Sequence, residues 1–66
     1  MQVHLNGAAR EVPEGTTLAE LLRLAAAPAA GIAVEVNHTL VRRAEWEARA
    51  LGAGDRVEVV QLVGGG

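Results

Sequence analysis

The stretch Thr17-Leu18-Ala19-Glu20-Leu21-Leu22 decides how this chain is organised. Thr17 and Glu20 have the spacing of a capping box, in which each side chain accepts a hydrogen bond from the backbone N–H of the other residue. Apolar side chains then recur at i, i+3, i+4 and i+7 along one helical stripe, at Leu18, Leu21, Leu22 and Ala25. Because Pro28 cannot continue a helix interior, we expect one helix that ends one or two residues before it.

A β-hairpin is predicted before this helix. Residues 1–5 alternate apolar and polar side chains, which is the period of a half-buried strand. Asn6-Gly7 follows, and this pair favours the positive φ values of a type I′ turn. Residues 8–12 are then the return strand, and His4 lies on the polar face of the first strand.

Further strands are predicted after the helix. Residues 32–36 alternate, with three branched apolar side chains on one face and a glutamate on the other. Residues 40–41 indicate a brief strand. Residues 43–50 are compatible with a short helix in which Trp46 and Ala50 share a face.

The last strand, residues 56–63, changes its pattern halfway along. It begins with charged side chains on one face, but Val60 and Leu62 then occupy that same face. Either a bulge redirects the strand, or this end is apolar on both faces. We favour the second interpretation, with a partner protein covering the apolar surface, because these residues lead directly into a glycine tail.

Size and composition argue against a self-sufficient enzyme. A chain of 66 residues buries only about 60% of the surface that it exposes when unfolded, and 13 residues are alanine. A core and a deep active-site cleft do not both fit, so we expect no catalytic residues. The absence of cysteine excludes disulfides, thiolate metal sites and a catalytic thiol. His4 and His38 have no recognisable metal-site spacing, so we also expect no metal.

Charge and hydropathy exclude other classes of partner. The net charge is −2, and the largest basic cluster is Arg42-Arg43, which is not the footprint of a nucleic-acid-binding protein. All six basic residues are arginine, so the chain offers no lysine for attachment of another protein. The longest apolar stretch, residues 24–34, is interrupted by Pro28 and Gly31 and is not expected to span a membrane. Because Met1 leads straight into a strand pattern without a secretory signal, we expect a cytoplasmic protein.

The chain closes with Val63-Gly64-Gly65-Gly66. Glycines provide no side chains for packing, so this segment offers reach, slenderness and the α-carboxylate of Gly66. From the tail alone, an inert frayed end and a functional arm are equally compatible with the sequence. We therefore divide the chain into a folded domain, residues 1–63, and a flexible glycine tail, residues 64–66.

Together these elements predict an α+β fold, with a mixed sheet of four to five strands packed on one main helix. The chain resembles the ubiquitin-like β-grasp proteins and, among them, the sulfur carrier proteins of thiamine biosynthesis. The resemblance is carried by motifs along nearly the whole chain. They are residues 1–3 with Asn6-Gly7, residues 15–22, residues 33–37, residues 41–46 including Trp46, Gly54-Asp55, and residues 59–66.

This resemblance implies that the protein is a carrier on which other enzymes act. An E1-like adenylyltransferase would use ATP to adenylate the Gly66 carboxylate, and a sulfur-donating enzyme would convert the adenylate into a thiocarboxylate. Thiazole synthase would receive the sulfur for the thiazole ring. Gly64 and Gly65 would thread the partners' active sites, and Val60, Leu62 and Val63 would form the docking surface. No cofactor would be bound by the carrier itself.

Three alternatives remain compatible with the sequence. The first is the small subunit of molybdopterin synthase, another Gly-Gly sulfur carrier of the same fold, although its relatives tend to be longer and richer in aromatic residues. The second is a ubiquitin-like protein modifier; the absence of lysine forbids chains built on itself but not modification of other proteins. The third is a β-grasp interaction module with an inert tail.

Overall fold

The computed structural model describes Met1–Leu62 and shows five strands with one α-helix. In chain order these are β1 (Gln2–Leu5), β2 (Ala8–Glu11), α1 (Leu18–Leu24), β3 (Ile32–Val36), β4 (Thr39–Leu40), a 3₁₀ turn (Arg43–Glu45) and β5 (Arg56–Gln61). The predicted order of elements is confirmed. None of the helices within residues 1–62 is long and apolar enough to cross a membrane.

The strands form one mixed sheet in the order β2-β1-β5-β3-β4. β1 and β5 are parallel, whereas the pairs β1–β2, β3–β4 and β3–β5 are antiparallel. The last strand therefore lies at the centre of the sheet, between the first strand and the third. β5 is therefore paired with a neighbouring strand on each side as far as β1 extends, and the C-terminal residues follow directly from this central strand.

The capping box predicted for α1 is present. The Thr17 N–H donates to the Glu20 carboxylate at 3.2 Å, and the Glu20 N–H donates to the Thr17 hydroxyl at the same distance. The stripe of Leu18, Leu21 and Leu22 is buried against the sheet. With three strand residues, Val34, Val36 and Val57, these leucines form the centre of the core.

The helix ends earlier than Pro28 alone predicts. Ala26 has a φ of 55°, and the N–H groups of Ala26 and Ala27 bond to the carbonyls of Arg23 and Leu22, at 3.0 and 2.9 Å. This is the pattern of a Schellman motif, which closes a helix by placing one residue in the left-handed conformation. The motif requires no proline, so α1 stops at Leu24, before the position that the proline constraint suggested.

The predicted helix over residues 43–50 is wrong in extent. Only Arg43–Glu45 is helical, as a 3₁₀ turn, and Ala50 instead forms an antiparallel bridge with Thr17. The Leu18 N–H donates to the Arg49 carbonyl at 2.8 Å, which diverts this backbone from helical pairing. Trp46 is partly buried against the core and donates from Nε1 to the Val41 carbonyl at 2.9 Å. It therefore lies at the rim of the core.

Candidate functional site

The C-terminal strand is the element that carries the predicted site. β5 pairs with β3 in unbroken register, from Val57 opposite Val36 to Gln61 opposite Ile32. An extra residue would disturb this register, so the bulge interpretation is wrong. The end of the strand is apolar on both faces, as the favoured interpretation predicted.

The outer face of the sheet, opposite α1, exposes the apolar side chains predicted for docking. Val59 faces the core and is partly buried, whereas Val60 is 53% exposed and Leu62 is 58% exposed. Val60 lies opposite Ala33, which extends this small apolar surface onto β3. Exposed apolar side chains that lie next to one another are a common feature of protein-binding surfaces.

Leu40 belongs to the same face, and the sequence interpretation missed it. It is 60% exposed and lies opposite Glu35 in the β3–β4 hairpin. Asn37 and His38 both have positive φ, at 52° and 68°, which is the conformation of a two-residue type I′ turn. Had Asn37-His38 been interpreted as such a turn, the register of the β3–β4 hairpin would have placed Leu40 opposite Glu35 and therefore on the outer face. The sequence contained this signal in the two turn residues.

Two carboxylates also lie on the outer face, next to the apolar side chains. Glu35 and Glu58 are directly opposite one another in the β3–β5 ladder. Like charges in that position destabilise a sheet, and neither carboxylate forms an ion pair within residues 1–62. The face therefore presents apolar side chains with local negative charge, which complements a partner surface that is apolar and basic.

Asn6 holds β5 where β1 ends. Its backbone N–H donates to the Val57 carbonyl at 2.9 Å, and its side-chain Oδ1 accepts from the Val59 N–H at 2.8 Å. Asn6 also has a φ of 49°, as the predicted Asn-Gly turn requires. The sequence identified Asn6 as a turn residue but gave no sign of its contact with Val59, which is 53 residues away along the chain.

A polar network fixes the opposite end of β5. Asp55 accepts from the Gly52 N–H at 2.7 Å and from the Asn37 side-chain amide at 3.0 Å, and Asn37 Oδ1 accepts from the Arg56 N–H at 2.9 Å. Partial burial raises the pKa of the Asp55 carboxyl, but these two donors and the charge of Arg49 outweigh it. The pKa of Asp55 therefore lies below its ordinary value.

The other predicted site residues, Val63, Gly64, Gly65 and Gly66, lie outside the described residues, and their roles stay predictions. The last described backbone contact before them is the Leu62 N–H, which donates to the Gly31 carbonyl at 2.8 Å. Among residues 1–62, no three histidine, aspartate or glutamate side chains are grouped in a way that could hold a metal ion.

Comparison with known proteins gives consistent matches. The model of the ThiS family matches residues 3–66. The sulfur carrier protein ThiS of Escherichia coli is 32% identical over 66 residues, which cover all of both chains. A protein of Magnetococcus marinus named thiazole synthase is 39% identical over 66 residues, and there this chain spans only 20% of the relative's length.

Solved structures agree with this result. The crystal structure of a thiamine biosynthesis protein (ThiS) from Geobacter metallireducens superposes with a TM-score of 0.86, at 33% identity and with complete coverage of both chains. A solution structure of a thiamine biosynthesis protein from the same organism gives a TM-score of 0.77, at 30% identity, covering all of this chain and 88% of that one. The predicted ubiquitin-like β-grasp fold is confirmed, and the chain belongs to the ThiS family.

Proposed function

We propose that this protein is a sulfur carrier of thiamine biosynthesis and that the Gly66 carboxylate carries the sulfur. The observation that supports this most strongly is the match to the family over residues 3–66, together with alignment over the full length of the Escherichia coli sulfur carrier. The fold adds a physical reason, because the strand that leads to the tail lies in the centre of the sheet, paired with β3 as far as Gln61 and with β1 as far as Val57.

The proposed chemistry takes place at the terminal carboxylate. A carboxylate is a poor electrophile because its charge is delocalised and oxide is a poor leaving group. Its pKa is about 3.3–3.7 when unperturbed, so it is ionised at neutral pH and can attack the α-phosphorus of ATP, which releases pyrophosphate. A hydrosulfide-equivalent supplied by a second enzyme then attacks the acyl carbon and displaces AMP, which leaves a thiocarboxylate on Gly66. If the donor delivers the sulfur as a persulfide, a second thiol of that donor cleaves the S–S bond of the acyl disulfide and releases the thiocarboxylate as the donor forms a disulfide.

In this proposal the chain is not an enzyme and binds no cofactor; the adenylating enzyme consumes the ATP. Gly64 and Gly65 give the tail a narrow cross-section, because a Cβ at either position adds bulk beside the reacting carbonyl. Thiazole synthase is the proposed acceptor of the sulfur. The similarity to part of a Magnetococcus marinus protein of that name supports this assignment.

We assign docking of the adenylating enzyme to the outer face around Val60 and Leu62, extended by Leu40. These side chains are each more than half exposed, and the neighbouring Glu35 and Glu58 add negative charge. Burying them in a complex gains free energy from apolar area, while the carboxylates select a basic partner. Val63 continues this surface in the proposal.

The direct test is AMP transfer to the purified chain, measured by intact mass with the adenylating enzyme of the same organism and ATP. Wild-type protein should gain one AMP, whereas deletion of Gly65-Gly66 should abolish the adduct and leave the melting temperature unchanged. Gly52→Ala is a suitable control, because an added Cβ there meets nothing closer than 3.8 Å. Adenylation of the truncated chain would contradict the proposal.

A second measurement separates the alternatives. Protein purified from its own host should show a fraction in which one oxygen is replaced by sulfur, and tandem mass spectrometry should place this exchange at Gly66. Covalent adducts joined through Gly66 to other proteins would instead indicate a modifier. An unmodified terminus, together with no adenylation in vitro, would indicate an interaction module.

A further inference from the structure

β5 is longer than the strand beside it, and this leaves part of a central strand uncovered. β1 pairs with β5 only as far as Leu5 opposite Val57, and the chain then turns away at Asn6-Gly7. β5 continues to Gln61. We call the uncovered side of β5, from Val59 to Gln61, the open edge.

The hydrogen-bonding pattern shows which backbone groups face the open edge. The Leu62 N–H bonds to Gly31 and the Asn37 N–H bonds to Arg56, so alternate β5 residues, including Val60, face β3. Gln61 therefore directs its N–H and its carbonyl away from β3. Within residues 1–62 neither group has a hydrogen-bond partner, whereas the Val59 N–H is already taken by Asn6.

A cavity lies beneath the open edge, on the helix side of the sheet. It has a volume of about 350 Å³ and is bordered by the end of α1 and by strand residues. Its apolar lining comes from Leu5, Ala25, Ala27, Ile32 and Val59. A strand laid along the open edge would direct alternate side chains into this cavity.

We propose that the open edge binds an extended peptide segment of the adenylating enzyme, which adds a short antiparallel strand beside β5. The residue opposite Gln61 would accept from its N–H and donate to its carbonyl. Because directly opposed residues direct their side chains to the same face, an apolar side chain on that residue would enter the cavity. This is recognition by strand addition, in which backbone bonds supply affinity and a pocket supplies selectivity.

The position of the open edge indicates the adenylating enzyme as the partner that binds there. The open edge includes Val60 and ends at Gln61, the last residue of β5 and the neighbour of Leu62, so it is continuous with the surface proposed for docking. The enzyme that receives Gly66 must approach this end of β5. The inference rests on the proposed function for the identity of the partner.

The test combines amide hydrogen exchange with one pair of substitutions. In the free monomer the Gln61 N–H should exchange fast, whereas the Val60 N–H should be protected by β3. Saturation with the adenylating enzyme of the same organism should protect the Gln61 N–H at least about tenfold. Exchange is stopped by acid quench and read by NMR on the recovered ¹⁵N-labelled chain.

Gln61→Pro removes this N–H without breaking a bond to β3, so it should weaken binding about fivefold or more while the chain still melts cooperatively. Gln61→Val also loses the glutamine side chain, which borders the cavity, but it keeps the N–H, so it should bind more tightly than Gln61→Pro. Since proline also fixes φ, circular dichroism and the melting temperature report any loss of fold. Gln61 exchange in the wild-type complex gives a readout that does not depend on either variant.

Different results overturn different statements. Fast exchange at Gln61 in a saturated complex that still transfers AMP contradicts strand addition and leaves the proposed function intact. No AMP transfer to wild-type protein contradicts the proposed function and the occupant named here. Protection of the Gln61 N–H in the free protein also overturns the inference. The oligomeric state measured by sedimentation would then distinguish coverage by a second copy from coverage by the chain's own tail.

Discussion

Replacing Leu62 with alanine should weaken binding of the adenylating enzyme without unfolding the carrier. The side chain is 58% exposed, so docking can remove at most about half of its surface from water. Complete burial of a leucine is worth about 1.5–3 kcal/mol, so the interface share is about 0.9–1.7 kcal/mol. At about 1.4 kcal/mol for each factor of ten, the dissociation constant should rise by about 4- to 16-fold.

Leu24→Ala provides a matched control for this measurement. Leu24 is 63% exposed, close to the value for Leu62, but it lies at the end of α1, on the other side of the sheet from Val60. Isothermal titration of both variants against the same enzyme, with urea melts of each, separates docking from stability. Equal affinities for Leu62→Ala, Leu24→Ala and wild type would refute the assignment of the outer face. Leu62→Asp should weaken binding further, because it removes apolar area and would bury a charged carboxylate in its place.

Three further predictions concern the fold that presents this face. Ala26→Gly should raise the free energy of unfolding by about 0.5–1 kcal/mol in urea melts. The reason is that an L-residue in the left-handed region costs about 1–2 kcal/mol, and glycine regains part of this. An unchanged urea midpoint would contradict the Schellman assignment. Thr17→Ala should lower the free energy of unfolding by about 1 kcal/mol through loss of the helix cap. An unchanged free energy of unfolding would show that the hydrogen bond from the Glu20 N–H to the Thr17 hydroxyl does not stabilise the fold. Asp55 has a lowered pKa in the folded state, so its contribution to stability is present above the unfolded value of about 3.9 and is lost as pH falls through the folded pKa. Asp55→Asn should flatten the acid limb of a stability–pH curve measured by chemical denaturation, and an identical limb in the variant would contradict the assignment.

Patterns within a few residues were sufficient to predict much of the fold. The capping box at Thr17 and Glu20, the leucine stripe of α1 and the alternation in β1 and β3 all depend on neighbours along the chain, and all are observed. The apolar end of β5 was also visible in the sequence, because Val60 and Leu62 break the alternation.

The features that the sequence did not predict depend on contacts between distant residues. Arg49 and Ala50 are compatible with a helix, but their backbone pairs with the chain at residues 17–18. Leu40 lies on the outer face because of strand register, and the Asn6 side chain accepts a hydrogen bond from the Val59 N–H of the neighbouring strand. The open edge exists because β5 extends beyond the last residue of β1 that pairs with it. This difference is evident only once the register between the two strands is known.

The central position of β5 connects the stability of the fold with the proposed handling of the tail. In the proposed function the tail enters the active sites of partner enzymes, so the strand that precedes it must keep its place in the sheet. Here β5 is paired with β3 over Val57 to Gln61 and with β1 as far as Val57, and the Asn6 side chain accepts a hydrogen bond from the Val59 N–H. Displacing β5 would expose Val57, which lies in the core. An edge strand has pairing on one side only, whereas β5 is paired on both sides as far as Val57, so in the proposed function the tail follows a strand whose displacement would disrupt the core.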